Sequence, residues 1–191
     1  MDRRKALKNI GTGIGAIAVT PTVVSLFQSC QTATGYTPVF IPHEDFGTVS
    51  NLMELIIPTT DTPGAIELKL PEFLDAYVDA VWSQEDQARF AEGWTAFKSS
   101  AVKASGKENA SQLTLEDWDA QLANYLKSES TPSEDDLPAA FADQLRGLTV
   151  NAFKTNEYIG ENVMAYAPIP GEQKGCVDLM ETTGGTAWSS L

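Results

Sequence analysis

The chain has 191 residues with 26 acidic and 13 basic side chains, a formal net charge of −13, one histidine and two cysteines. So acidic a chain repels nucleic-acid phosphates and anionic lipid headgroups, which excludes both as default partners. Two cysteines make neither a disulfide framework nor a zinc cluster, and His43 alone cannot assemble a His-rich metal or haem site.

The chain opens on "DRRKALKNIGTGIGAIAV", in which Gly11, Gly13 and Ala16 spell G-x-G-x-x-A. A dinucleotide turn needs a hydrophobic strand before the first glycine and an acidic residue about twenty positions after the last. Here Arg3, Arg4, Lys5 and Lys8 precede the glycines, and a short apolar run broken by Pro21 follows. That is a basic head, an apolar middle and a processing region, so residues 1–29 read as an export signal. Arg3 and Arg4 followed by Leu7 and Lys8 fit the twin-arginine pattern R-R-x-x-L-K. The run is too short for a membrane-spanning helix, which needs about twenty apolar residues. Cys30, in "LFQSC", stands where a lipobox places its acylated cysteine; Ser29 fits that pattern and Phe27 and Gln28 fit it poorly, so lipidation and simple cleavage nearby both remain open. Cleavage before Cys30 leaves 162 residues with 9 basic and 25 acidic groups, a net charge of −16. That length carries one domain with its own core.

Residues 30–43 read as a polar tether, and helical periodicity then begins near Glu44. Phe46, Val49, Met53, Ile56 and Ile57 share one face, and Pro58 ends the helix. The loop "PTTDTPGAIELKL" leads to Pro71, a good first helical residue, and "PEFLDAYVDAVW" sets Phe73, Tyr77 and Val81 on one face. Ser83 with Asp86 predicts an N-cap, and Phe90, Trp94 and Phe97 line the buried side of the helix that follows. Thr114 with Asp117 repeats the device ahead of a stripe of Leu115, Trp118, Leu122 and Tyr125. An exposed acidic loop, "SESTPSEDDLP", precedes Pro138 and a long helix with Phe141, Leu145, Leu148 and Phe153 inward, and a shorter helical piece covers residues 158–166. The tail, "APIPGEQKGCVDLMETTGGTAWSSL", shows no period, yet Ile169, Val177, Leu179, Met180 and Trp188 give it something to bury. No stretch alternates with period two. The expected fold is therefore all-α, a single bundle of about five to six helices over residues 44–191 with an irregular C-terminal tail.

Candidates for chemistry are few. Asp117, Asp119, Glu134, Asp135 and Asp136 lie at helix starts or in the acidic loop, where solvation and the helix dipole account for them. Asp61 reads as a turn-stabilising aspartate. His43 leads into the first helix, and no G-x-S-x-G elbow accompanies it, which excludes a Ser-His-Asp hydrolase. Cys176 reads as a buried or disulfide-bonded sulfur, its one possible partner an unacylated Cys30. The sequence thus holds no nucleotide loop, no metal cluster and no catalytic set, behind a signal suited to folded, cofactor-loaded cargo.

Three blocks carry a resemblance to a known family: "LMELIIPTTDTPGA", "LPEFLDAYVDAVWSQEDQARF" and "YAPIPGEQKGCVDL". Together with the twin-arginine head they resemble the small third subunit of membrane-associated gluconate 2-dehydrogenase and related sugar dehydrogenases, over most of residues 44–179. The resemblance implies a non-catalytic accessory subunit beside a large FAD-dependent flavoprotein of the glucose-methanol-choline type, in some complexes with a cytochrome c subunit. It implies FAD in the partner and no cofactor, catalytic residue or metal in this chain. The expected location is the periplasm, with a lipid anchor if Cys30 is acylated. A contact with the partner is expected on the least charged surfaces, where desolvation costs least. These are the tail, with Pro168, Pro170, Gly171, Gly175, Cys176 and Trp188, and the loop with Asp61, Pro63 and Gly64. A stand-alone periplasmic lipoprotein that binds carbohydrate on tryptophan and acidic side chains is the competing expectation.

Overall fold

In a computed structural model that describes residues 35–127, 136–166, 171 and 176–187, the helices Gln84–Ser105 and Leu137–Thr155 pack together at the centre of the bundle. The chain divides into two units, Met1–Thr37 and Pro38–Leu191, and the helices belong to the second. In chain order they are α1 (His43–Ile56), α2 (Leu70–Val81), α3 (Gln84–Ser105), a 3-10 turn (Ala110–Gln112), α4 (Leu115–Leu126), α5 (Leu137–Thr155), α6 (Glu157–Asn162) and α7 (Leu179–Thr183). The fold is all-α. The seven helices among the described residues exceed the expected five to six because α7 is a five-residue helix inside the tail expected to be irregular. Asp178 starts it by accepting the Glu181 N–H at 3.0 Å, and Gly184 at φ 64° ends it.

The helix starts follow local chemistry. Ser83 accepts the Asp86 N–H at 3.2 Å, and Thr114 and Asp117 form a complete reciprocal capping box. Asp136 caps α5 ahead of Pro138, and Asn156 caps α6 through the N–H groups of Tyr158 and Ile159. Asp117 also binds Lys107, which with the Thr114 N–H lowers its pKa to about 2.

α5 packs against α1, α2, α3, α4 and α6. Its approach to α3 is closest at Gly93, where a Cβ would meet Phe141 Cβ at 3.0 Å. Around that crossing Phe141 lies 5.0 Å from Phe90, 5.5 Å from Trp94 and 5.3 Å from Phe97 between ring centroids, and Trp118 stacks on Phe97 at 6.1 Å. Such pairs each add about 0.5–1.5 kcal/mol beyond the area they bury. The aromatic stripe expected on α3 is thus the core. On α4, Trp118 and Leu122 are buried, but Leu115 is exposed because it is the first residue of its helix and projects past the packed layer. Polar groups inside the bundle are satisfied: buried Gln121 donates to Ser100 Oγ at 2.9 Å, which in turn pairs with Tyr125 Oη at 2.8 Å. Asp45 joins α1 to α3 by accepting from Trp94 Nε1 at 2.8 Å and Lys98 Nζ at 2.9 Å.

The largest departure from expectation is the rotation of α2. Leu70, Leu74, Asp75 and Val78 are buried, and the face with Phe73, Tyr77 and Val81 points to solvent. The cause is Asp75, wholly buried, whose carboxylate accepts the backbone N–H groups of Val39 at 2.7 Å, Phe40 at 3.1 Å and Ile41 at 2.6 Å. Three donors replace the lost water, which makes the burial of this carboxylate tolerable. Replacing Asp75 with Asn keeps one acceptor oxygen and strands at least one buried N–H. We expect Asp75→Asn to cost about 1–3 kcal/mol and Asp75→Ala more. Thermal denaturation should show it as a Tm loss of about 2–4 °C per kcal/mol.

Candidate functional site

The "PTTDTPGA" segment between α1 and α2 is built around a carboxylate, and it is that of Glu54 on α1. Glu54 Oε1 accepts the Thr59 N–H at 3.0 Å and the Thr59 hydroxyl at 2.9 Å, and Oε2 accepts the Ile66 N–H at 2.9 Å, so both ends of the loop hang from one side chain. Thr59 Oγ1 accepts the Gly64 N–H at 3.2 Å, the Ala65 N–H bonds Ile57 O at 3.0 Å, and the Thr60 N–H bonds Thr62 O at 2.9 Å across Asp61. Burial raises the Glu54 pKa, but the bonds from Ile66 and Thr59 outweigh it and hold the carboxyl below its ordinary value.

Gly64 is the steric centre of this arrangement. A Cβ there would collide with Glu54 Oε1 and stand 2.5 Å from Thr59 Oγ1 and 2.6 Å from Thr59 N, so a side chain has no room. The loop then winds through a helical turn to Lys69, whose φ of 55° places a non-glycine residue in the left-handed region directly before α2. Such a residue costs about 1–2 kcal/mol and sharpens the turn into the Leu70-Pro71 start of the helix.

The pinned loop forms one wall of an open groove of about 510 Å³, lined by Thr59, Thr60, Asp61, Thr62, Pro63, Glu67, Leu68 and, from α6, Tyr158. Asp61 is exposed at its rim, Pro63 is half-buried, and Gly64 is buried and shapes the loop from behind. Among the remaining residues singled out in the sequence, Gly171 is exposed at φ 78°, and Cys176 is exposed, which corrects the expectation of a buried sulfur. Cys176 is out of the core because the segment that follows it holds to the bundle at Ala165, whose N–H bonds Ala187 O at 2.8 Å, while Val177, Leu179 and Met180 face solvent. His43 is the exposed first residue of α1. Arg3, Arg4, Cys30, Pro168, Pro170, Gly175 and Trp188 lie outside the described residues. Glu54 and Asp75 were not singled out in the sequence, because the donors they serve are visible only once the chain has folded back on itself.

The family model for gluconate 2-dehydrogenase subunit 3 matches residues 43–171, about two thirds of the chain, from the first residue of α1 through the pinned loop and all the large helices. The chain belongs to this family. It is a subunit of a dehydrogenase complex. No curated protein and no solved structure matches it.

The loop geometry gives a pair of expected outcomes. Gly64→Ala should cost about 1–3 kcal/mol, because the new methyl group must displace Glu54 or Thr59. Glu54→Gln should cost about 1 kcal/mol. A depressed folded-state pKa makes the Glu54 contribution fully present above the ordinary carboxylate range and lost as pH falls through the depressed value. Acid titration of stability should therefore be shallower in Glu54→Gln than in the unaltered chain, and parallel curves would remove the charge from the account.

Proposed function

We propose that this chain is the non-catalytic small subunit of an exported, FAD-dependent sugar or sugar-acid dehydrogenase whose flavoprotein is of the glucose-methanol-choline type. It supports the maturation, twin-arginine export and stability of that flavoprotein. The observation that carries this reading is the family membership across the whole helical bundle. Supporting it are a loop held rigid at both ends and a tail whose apolar side chains Val177, Leu179 and Met180 stay in solvent, both suited to a partner's surface. The contact we assign comprises the loop at Asp61, Pro63 and Gly64 and the tail from Pro168 and Pro170 through Gly171, Gly175 and Cys176 to Trp188. FAD is assigned to the partner, and electrons leave through a cytochrome c subunit where the complex has one.

A second reading, carbohydrate capture by this chain alone, draws on the groove, where the Tyr158 ring stands beside threonine hydroxyls and the carboxylates of Asp61 and Glu67. Co-expression separates the two. With the proposed flavoprotein partner present, omission of this chain should abolish exported dehydrogenase activity and the flavin absorbance of the purified fraction. Leu179→Ser combined with Met180→Ser should weaken co-purification. Undiminished activity without this chain, together with saturable sugar binding to it alone, would favour the second reading.

The N-terminal assignments have their own test. Replacing Arg3 and Arg4 by lysine keeps the charge and removes the guanidinium pair, so precursor should accumulate in the cytoplasm. Cys30→Ser should release the mature chain from membranes if two or more acyl chains anchor it. Unchanged secretion of the lysine variant would count against the twin-arginine signal, and a mature N-terminus without lipid mass against the anchor.

A further inference from the structure

The outward face of α2 carries an aromatic stripe that the bundle does not use. Phe73, Tyr77 and Val81, spaced i, i+4, i+8, are 52%, 36% and 61% exposed, and the Phe73 and Tyr77 rings stack at 5.8 Å with an interplanar angle of 19°. Counting about 100° per residue, Phe73, Tyr77, Val81, Leu70, Leu74 and Val78 make one continuous apolar arc of about 140°. Asp75 lies about 60° beyond the Val78 edge of that arc. Burying Asp75 turns the helix so that this edge faces the core and the opposite edge, with both aromatic rings, leaves it. The exposure of Phe73 and Tyr77 is thus held in place by three hydrogen bonds, whereas Val81 is exposed as the last residue of the helix. Two rings fixed against each other lose little freedom on being covered, a property of interface anchors.

The surroundings say what covers the stripe. Between residues 67 and 86, apart from the buried Asp75, stand five acidic side chains, Glu67, Glu72, Asp79, Glu85 and Asp86, and one base, Lys69. A second copy of this chain would bring two such acidic borders together on chains of net charge −13, which like-charge repulsion disfavours. The described part of the tail does not cover it either, since Leu179 and Met180 are themselves 61% and 66% exposed. From this geometry we infer that the α2 stripe is a docking surface for the dehydrogenase subunit of the complex, inserting Phe73 and Tyr77 into an apolar pocket on that protein bordered by lysine or arginine. This rests on the accessory-subunit reading and adds to it a second contact, separate from the loop and tail.

The test uses the full chain and the proposed flavoprotein partner, with Kd measured for the unaltered chain, for Phe73→Ser combined with Tyr77→Ser, and for Leu115→Ser as a control on another exposed apolar residue. The double variant removes no buried side chain, so its helical circular dichroism and Tm should match the unaltered chain. Its Kd should rise at least about thirtyfold, the loss of one hot-spot anchor, while Leu115→Ser binds unchanged. The association rate of the unaltered chain should fall as ionic strength rises. Full affinity in the double variant would overturn the docking surface and leave the accessory-subunit reading standing. Absence of any complex with the unaltered chain would overturn both. A homodimer of the isolated chain that the double substitution dissolves would assign the stripe to a second copy and overturn the proposal, as would a salt-independent association rate for its basic border.

Discussion

A carboxylate withdrawn from water must find donors, and for Asp75 these are three consecutive backbone N–H groups at residues 39–41. That constraint acts in two directions. It draws the segment that leads into α1 against α2, so that Ile41 is buried in the core and α1 begins where it can lay Val49, Leu52 and Met53 inward. It also fixes the rotation of α2, because no other face of the helix presents Asp75 to those donors. Leu74 and Val78 then reach the core, and α2 packs on both α1 and α5. The aromatic cluster around Phe141 provides most of the cohesion, yet it would tolerate more than one orientation of a peripheral helix, whereas the Asp75 bonds tolerate one.

The same device recurs on α1 at lower burial. Glu54 suspends the loop from Thr59 to Ile66, and Gly64 leaves the space in which its carboxylate sits. Both carboxylates accept main-chain N–H groups, and Glu54 accepts the Thr59 hydroxyl as well. A loop fixed in this way presents Asp61, Pro63 and the threonines with little ordering left to do on binding, which matters because ordering of loops is a main opposing term in association.

How much of this could be read in the sequence depends on the range over which each feature is determined. The caps at Ser83 and Thr114 were legible because donor and acceptor are three residues apart, and the stripes of α3 and α5 because the residues there that face the core repeat with the helical period. The α2 face was not legible as outward. Its apolar arc includes both edges, and the choice between them is made by N–H groups 34 to 36 residues away. Leu115 followed the period but fell at a helix terminus, where period no longer implies burial. The five residues of α7 are too few to display a period at all. In the loop between α1 and α2, the residue-level reading gave the turn-stabilising role to Asp61, the acid inside the loop, whereas the loop hangs from Glu54 on α1. Glu54 drew no reading of its own, because the groups it binds lie 5 and 12 residues further along the chain.

These features together separate what holds the subunit together from what it offers. The core helices are stabilised by interactions wholly within the bundle: the ring cluster, the Asp45 link from α1 to α3 and the Gln121–Ser100–Tyr125 chain. The apolar groups left outside include those on α2, Ile66 in the loop and those on the tail, on segments held by main-chain hydrogen bonds to Asp75, Glu54 and Ala165 respectively. A side chain that only filled space would gain from turning inward. Here the backbone is tied so that these cannot, and the free energy forgone in leaving Phe73 and Tyr77 in water is recovered only when another surface covers them. The net charge of −13 disfavours close approach of a second copy and favours a surface of opposite sign, so charge and exposed rings would act on the same choice of partner.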